Sequence, residues 1–207
     1  MRITEVKPRR RMLTEIFVDG ESAGRISTEV WMRAGYRAGD TVSEEELEAL
    51  LAESERYRAK EKALYLLEYR AHSKKELLDK VGRTVSREAA QEAVDRMEAL
   101  GLMDDEKYAR GQAAYLVLRK GYAAPRAVYA LVQKGIDREL AEAVVGEVAP
   151  EPCDKLRELL KRKYPLAVSD EAHRRRAAAA MARLGYRYAD IEAVLRALEE
   201  EHAADLD

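Results

Sequence analysis

The sequence predicts a mainly α protein: an N-terminal β-hairpin followed by three tandem three-helix modules in an elongated, curved array. Three observations carry this. Ala, Leu, Glu, Arg and Lys dominate a chain of 207 residues that is 6% aromatic and holds 11 Gly and 5 Pro, too poor in rings and turn residues for a sandwich or barrel. Helix-start signals recur at Ser43 with Glu46, Ser73 with Glu76, Asp104-Asp105 and Pro152. Gly82, Gly135 and Gly185, 53 and 50 residues apart, each close a basic, apolar helical segment, as left-handed helix stops would.

In chain order, Met12 to Asp19 is rich in strand formers, Asp19-Gly20 is a tight-turn signal, and Glu21 to Val30 alternates in part. This reads as a β-hairpin with room for a third short strand, and a ribbon so small must dock on the first long helix. That helix opens at the Ser43 capping box and continues through Leu47, Leu50 and Leu51 and on past Tyr57. A separate helix is expected from about Ala59 to Arg70, carrying Ala63, Leu64, Leu66 and Leu67. The next pair is separated by Gly82, with Val94, Met97 and Leu100 on its second stripe. The pattern recurs with Tyr108, Ala109, Ala113 and Leu116 before Gly135 and Leu140, Val144 and Val148 after it. It recurs again with Leu156, Leu159 and Leu160 before Gly185 and Ile191, Val194, Leu195 and Leu198 after it. The expected divisions are 1–57 (hairpin and linker helix), 58–105, 106–150 and 151–207. Leu77, Leu131 and Met181 read as plain core.

With 47% hydrophobic and 37% charged residues the chain can fill a core and still coat itself with charge. The lone Cys153 allows neither an internal disulfide nor a cysteine zinc site and points to a reducing cytoplasm. Met1 to Lys7 holds no apolar signal segment, and the longest strictly apolar runs, Ala113–Leu118 and Ala177–Ala182, are six residues each, far short of a membrane span. A soluble, cytoplasmic monomer without membrane contact is the expectation.

Charge is unevenly spread. Residues 1–55 hold 8 Lys+Arg against 12 Asp+Glu, whereas Lys107 to Ile136 holds six basic residues and no acid, and Lys155 to Arg187 ten basic residues against three acidic. A solvated surface is the plainer reading of either basic stretch alone; two in adjacent segments, with acids nearly excluded, count against it. Tyr and Arg also alternate, as in Arg56-Tyr57-Arg58 and Tyr186-Arg187-Tyr188, which suits base stacking and protein interfaces alike.

Catalytic signatures are absent. There is no glycine-rich phosphate loop, and His72, His173 and His202 lack ligand partners at metal-binding spacing. Asp104-Asp105 reads as a helix cap. Ser73 is a poor nucleophile, with only its neighbour His72 at hand as a base. A non-enzyme without cofactor or metal is expected.

At the module junctions the sequence resembles the RecX family, bacterial regulators of the RecA recombinase. The resemblance rests on Tyr69-Arg70-Ala71-His72-Ser73-Lys74-Lys75-Glu76-Leu77, on Leu100-Gly101-Leu102-Met103-Asp104-Asp105-Glu106-Lys107-Tyr108-Ala109, and on Arg119-Lys120-Gly121-Tyr122 with Lys134-Gly135-Ile136. The third module matches more loosely, at Leu184-Gly185-Tyr186 and Ile191. Where the family usually has Gly-Pro after the Lys-Gly-aromatic run, this chain has Ala123-Ala124 before Pro125, which can still open the next helix at N1. The resemblance implies a non-catalytic protein of recombination, DNA repair and the SOS response. It would bind the groove of the RecA filament on single-stranded DNA and suppress ATP hydrolysis and strand exchange. The residues expected to face that partner are Arg119, Lys120, Arg126, Lys134, Arg174, Arg175, Arg176, Arg183 and Arg187. Weak direct DNA binding stays open. So do two other classes, a helix-turn-helix-like DNA-binding regulator and a generic helical scaffold. Asp137, Glu139, Glu142, Asp190 and Glu192 count against the former, because acids on a would-be recognition helix repel phosphate.

Overall fold

The computed structural model describes residues 1–204; the last three residues of the third expected module, 205–207, lie outside them. The chain forms two compact units, Met1–Asp104 and a second beginning at Asp105.

The first unit opens with a three-stranded antiparallel sheet, β1 (Ile3–Arg9), β2 (Leu13–Val18) and β3 (Glu21–Ser27), in the order β1-β2-β3. The hairpin joining β2 to β3 turns at Asp19 (φ 50) and Gly20 (φ 90), the mirror-image geometry that matches strand twist. The third strand that the sequence leaves room for is β1, which it does not place because only Ile3 and Val6 carry an apolar signal there and Pro8 argues against a strand. Pro8 is tolerated because β1 is an edge. Segment 39–42 caps that edge through Gly39 N–H to the Ile3 carbonyl (2.8 Å) and Ile3 N–H to the Asp40 carbonyl (2.9 Å). β3 stops at Ser27, and residues expected to extend it form helix α1 (Thr28–Ala34), closed by Gly35.

Helix α2 (Glu44–Tyr69) begins at the Ser43 capping box: Ser43 Oγ accepts from Glu46 N–H (3.1 Å) and Glu46 Oε2 accepts from Ser43 N–H (2.8 Å). It runs 26 residues without a break, where two helices were expected. No Gly or Pro interrupts it. The apolar pattern breaks because the helix serves two cores, one with each half. Leu50, with Leu47 and Leu51, packs on Ile3, Ile16, Ile26, Val30 and Trp31. Ala59 and Ala63 pack on Leu77, Val81, Ala90, Val94 and Met97 of helices α3 (Lys74–Val81) and α4 (Arg87–Ala99). Buried Ser54 stands between, accepting a hydrogen bond from Ser27 N–H (2.7 Å). Gly82 stops α3 in right-handed geometry (φ −63), unlike Gly135 (φ 86) and Gly185 (φ 93). A Cβ there would meet the Leu78 carbonyl at 3.1 Å, so tight packing on its own helix, rather than handedness, favours glycine.

His72, 3% exposed, precedes α3. Its Nδ1 lies 2.8 Å from the Arg70 carbonyl and its Nε2 2.8 Å from Lys80 Nζ. The carbonyl can only accept and the ammonium only donate, so the ring is held neutral with the proton on Nδ1. Burial depresses its pKa below 6.5, and the charges of Arg70 and Lys80 add to this. The unfolded chain therefore takes up the proton first, and the stabilisation present above pH 6.5 is lost as pH falls through the depressed value. Melting curves from pH 7 to pH 5 should show the midpoint falling in the wild type and falling less in His72→Gln; parallel curves would refute this.

The second unit holds α5 (Asp105–Ala114), α6 (Ala124–Gln133) and α7 (Arg138–Val148) around Leu131, Val144 and Val145. It continues with α8 (Pro152–Lys163), a 3-10 turn at Pro165–Val168, α9 (Glu171–Arg183) and α10 (Tyr188–Ala204) around Leu156, Leu160, Met181, Ile191 and Leu195. Pro152 takes the first helical position of α8 as expected. Pro125 stands one residue later than expected, because α6 already begins at Ala124. Leu77, Leu131 and Met181 are all at most 1% exposed.

Candidate functional site

Helix α5 does not end at a simple cap. It passes into a π-helical turn, Tyr115–Arg119, closed by Lys120 N–H donating to the Tyr115 carbonyl (3.0 Å), and beyond it Tyr122 N–H returns to the Leu116 carbonyl (3.0 Å). Such wide turns are rare and concentrate at functional positions. This one leaves Arg119 and Lys120 exposed, with Lys120 Nζ 5.5 Å from the centre of the Tyr115 ring. Gly121 (φ 76) then reverses the chain where a Cβ would come within 3.1 Å of Leu159 Cδ1 on α8.

Ala123 N–H donates to the Leu184 carbonyl (2.9 Å), joining the start of α6 to the end of α9. Beside this bond Tyr122, Arg126, Tyr129, Ala130, Ala182, Arg183 and Gly185 form a shallow groove with no acid in its lining. The Arg126 guanidinium lies 4.3 Å from the centre of the Tyr122 ring, a cation–π pair that holds the charge over an apolar face. Tyr129 is 63% exposed. Gly185 and Tyr122 also line an adjoining cavity of about 490 Å³, with Arg187, Lys155, Tyr186, Asp190 and Glu151 among its walls. Burial and the charge of Glu158 push the Tyr186 hydroxyl up to about 12, so it stays a neutral hydroxyl throughout the working pH range.

The nine expected residues thus sort by surroundings. Arg126, Arg183 and Arg187 gather around Gly185, and Arg119 and Lys120 stand just before Gly121-Tyr122. Lys134, at the far end of α6, lies 5.9 Å from the centre of the Tyr108 ring. Among the described residues Arg119, Arg126, Arg183 and Arg187 have no carboxylate partner. The α9 residues differ. Arg174 is half-buried and bonded to Glu192 (2.8 Å) and Glu199 (2.7 Å) of α10, pairing that raises its pKa. Arg175 pairs with Glu171 (3.0 Å). Arg176 is exposed and, after the stronger hydrogen bonds from His173, helps to lower the Asp170 carboxyl.

Tyr129 escaped the sequence reading. Its signal was the spacing of Arg126 and Tyr129, three residues apart on α6 and so on one helical face, with Tyr122 two residues before the helix begins. Among the described residues no group of three His, Cys, Asp or Glu side chains is arranged to hold a metal ion, and no helix is long and apolar enough to cross a membrane.

Residues 59–97 match the model of the RecX first three-helix domain. The regulatory protein RecX of Caldanaerobacter subterraneus subsp. tengcongensis is 27% identical over 164 residues, covering 76% of this chain and 81% of that protein. That of Xanthomonas axonopodis pv. citri is 34% identical over 140 residues, 66% of this chain and 85% of the relative. Among solved structures, one described as regulatory protein RecX superposes with a TM-score of 0.60 at 16% identity, over 93% of this chain and 98% of that one. RecX from Lactobacillus salivarius superposes with a TM-score of 0.57 at 19% identity, over 70% and 97%. Likeness at those identities is likeness of fold; the sequence relatives carry it further, and the chain belongs to the RecX family of regulatory proteins.

Proposed function

We propose that the chain is a non-catalytic modulator, chiefly an inhibitor, of the RecA recombinase. It acts in the cytoplasm as a monomer, lodging in the groove of the RecA filament on single-stranded DNA and suppressing ATP hydrolysis and strand exchange. Membership of a regulatory family gives the class of function. The observation that carries the reading is the acid-free groove of Tyr122, Arg126, Tyr129 and Arg183, with Arg119 and Lys120 beside it. Unpaired guanidiniums next to exposed tyrosines are the residue types that anchor interfaces, and a uniformly basic surface complements acidic protein and phosphate. Arg174 and Arg175, already paired with acids, contribute less.

The test is the ATPase rate of the cognate RecA on single-stranded DNA while this chain is titrated below stoichiometric ratio. A steep loss of turnover, relieved by added salt, is expected. Arg126→Glu and Lys120→Glu should each raise the half-inhibiting concentration by about tenfold or more, as reversing an interface charge does. An unchanged rate on intact filaments would remove the function. The helix-turn-helix reading is weakened by Asp137, whose Oδ1 accepts from Glu139 and Leu140 N–H at the start of α7 and so stands where a recognition helix would meet phosphate.

A further inference from the structure

The two ends of the N-terminal sheet are built differently. At one end Asp19-Gly20 supplies residues suited to left-handed backbone. At the other, the β1–β2 connection Arg10-Arg11-Met12 places Arg11 (φ 64) and Met12 (φ 55) in the left-handed region, where an ordinary side chain is strained. The conformation is held from outside the turn: the Met12 carbonyl accepts from Thr28 N–H (2.9 Å), and Thr14 Oγ1 and Thr28 Oγ1 are 3.0 Å apart beneath it. The strain is therefore imposed by the fold, and nothing in turn chemistry asks for Arg or Met here.

The charges at this tip also stand apart. Lys7 pairs with Glu5 (2.7 Å), and Arg9 and Arg25 share Glu15, which they hold below the usual carboxylate range. Arg10 and Arg11 make no hydrogen bond or ion pair among the described residues. Both are exposed, and Met12 beside them is 74% exposed. All this sits on the acidic end of the chain, so the tip is a local island of positive charge.

We infer that the Arg10-Arg11-Met12 hairpin tip is a nucleic-acid contact, its guanidiniums taking adjacent backbone phosphates and its methionine resting on a base. Two fork-shaped donors one residue apart suit phosphate oxygens, and an exposed thioether suits an aromatic base face. A protein partner fits less well. Three residues at a hairpin end offer far less than the roughly 800 Å² per side that a stable protein interface buries, whereas phosphate contacts draw their energy from counterion release charge by charge. The acidic surroundings confine the contact to the tip. This inference does not rest on the RecA reading, and its test contains only this chain and nucleic acid.

The experiment is fluorescence anisotropy of labelled single-stranded and duplex oligonucleotides titrated with the full chain across a series of salt concentrations. Arg10→Ala/Arg11→Ala should weaken binding about tenfold or more at low salt. It should also flatten the dependence of log K on log salt by about 1.4 for the single strand or 1.8 for the duplex, the share of two phosphate contacts. Lys60→Ala/Lys62→Ala, which removes the same charge from α2, should leave that slope unchanged. Met12→Ala should weaken binding without altering the slope. Arg11→Gly separates the site from the fold, because it relieves the left-handed strain: its melting midpoint should rise while its binding falls. The inference is overturned if the wild type binds neither oligonucleotide at low salt, or if the double variant keeps the wild-type slope. Polyglutamate displacing the oligonucleotide at equal charge would also overturn it, in favour of an acidic protein partner.

Discussion

Gly185→Ala is expected to destabilise the second unit by about 2–6 kcal/mol, the sum of left-handed strain and overpacking. Its φ of 93 already penalises any side chain, and an added Cβ would stand 2.6 Å from Arg126 Cβ, too close to the backbone of α6 for rotation to relieve. Either α6 moves away from the end of α9 or the turn opens. Both break the Ala123–Leu184 hydrogen bond and displace Arg126 from Tyr122. The same substitution should therefore raise the half-inhibiting concentration in the RecA assay, though it removes no charge. Denaturant unfolding followed by circular dichroism reads the stability. Trp31 fluorescence does not, because that side chain sits in the core of the first unit. A midpoint within error of the wild type would refute the account.

Leu131→Ala should cost about 2–5 kcal/mol, toward the upper end of that range. Leu131 is fully buried in a core made mostly of alanines and valines, Ala109, Ala113, Ala127 and Ala141 with Val117, Val144 and Val145, which also holds Tyr108, Leu116 and Ile136. Alanines have no side chain to swing into a hole, and valines are stiff at χ1, so the cavity stays open. The backbone cannot follow either, since the Leu131 carbonyl accepts from Lys134 (2.9 Å) and Ile136 (3.2 Å) at the end of α6. Leu131→Met, which conserves volume, should cost less than about 1.5 kcal/mol in the same denaturant titration. Equal losses for the two variants would show that the site relaxes.

The helices were legible where each buries one face against one core, as Leu156, Leu159 and Leu160 do on α8. Legibility failed where a segment answers to two demands. Residues 54–58 of α2 lose their apolar rhythm because the helix turns from one core to another, so one helix read as two. β1 is an edge covered by a loop rather than a second layer, and its alternation is faint. At the candidate site, composition marked the basic segments but not which cations are free. Arg174 and Arg126 look alike in sequence, yet one is clamped by two glutamates of α10 and the other lies on a tyrosine. That difference is set by what α10 and α6 place opposite each residue, which no local pattern encodes. The π-turn at Tyr115–Arg119 left no trace in composition either.

The unbroken run of α2 through both cores of the first unit has a consequence for how this chain can vary. The family match begins at residue 59, inside the helix rather than at its start. The sheet is thus joined to the first helical group by a rigid shaft, and a shaft has rotational phase. One residue added or lost between Ser54 and Ala59 would turn everything before it by about 100° and shift it by about 1.5 Å relative to everything after. A loop of the same length absorbs such an event; this helix does not. Substitution is tolerated across its exposed face, but changes of length there must come close to whole turns, so three or four residues together are the smallest indel that leaves both cores in register.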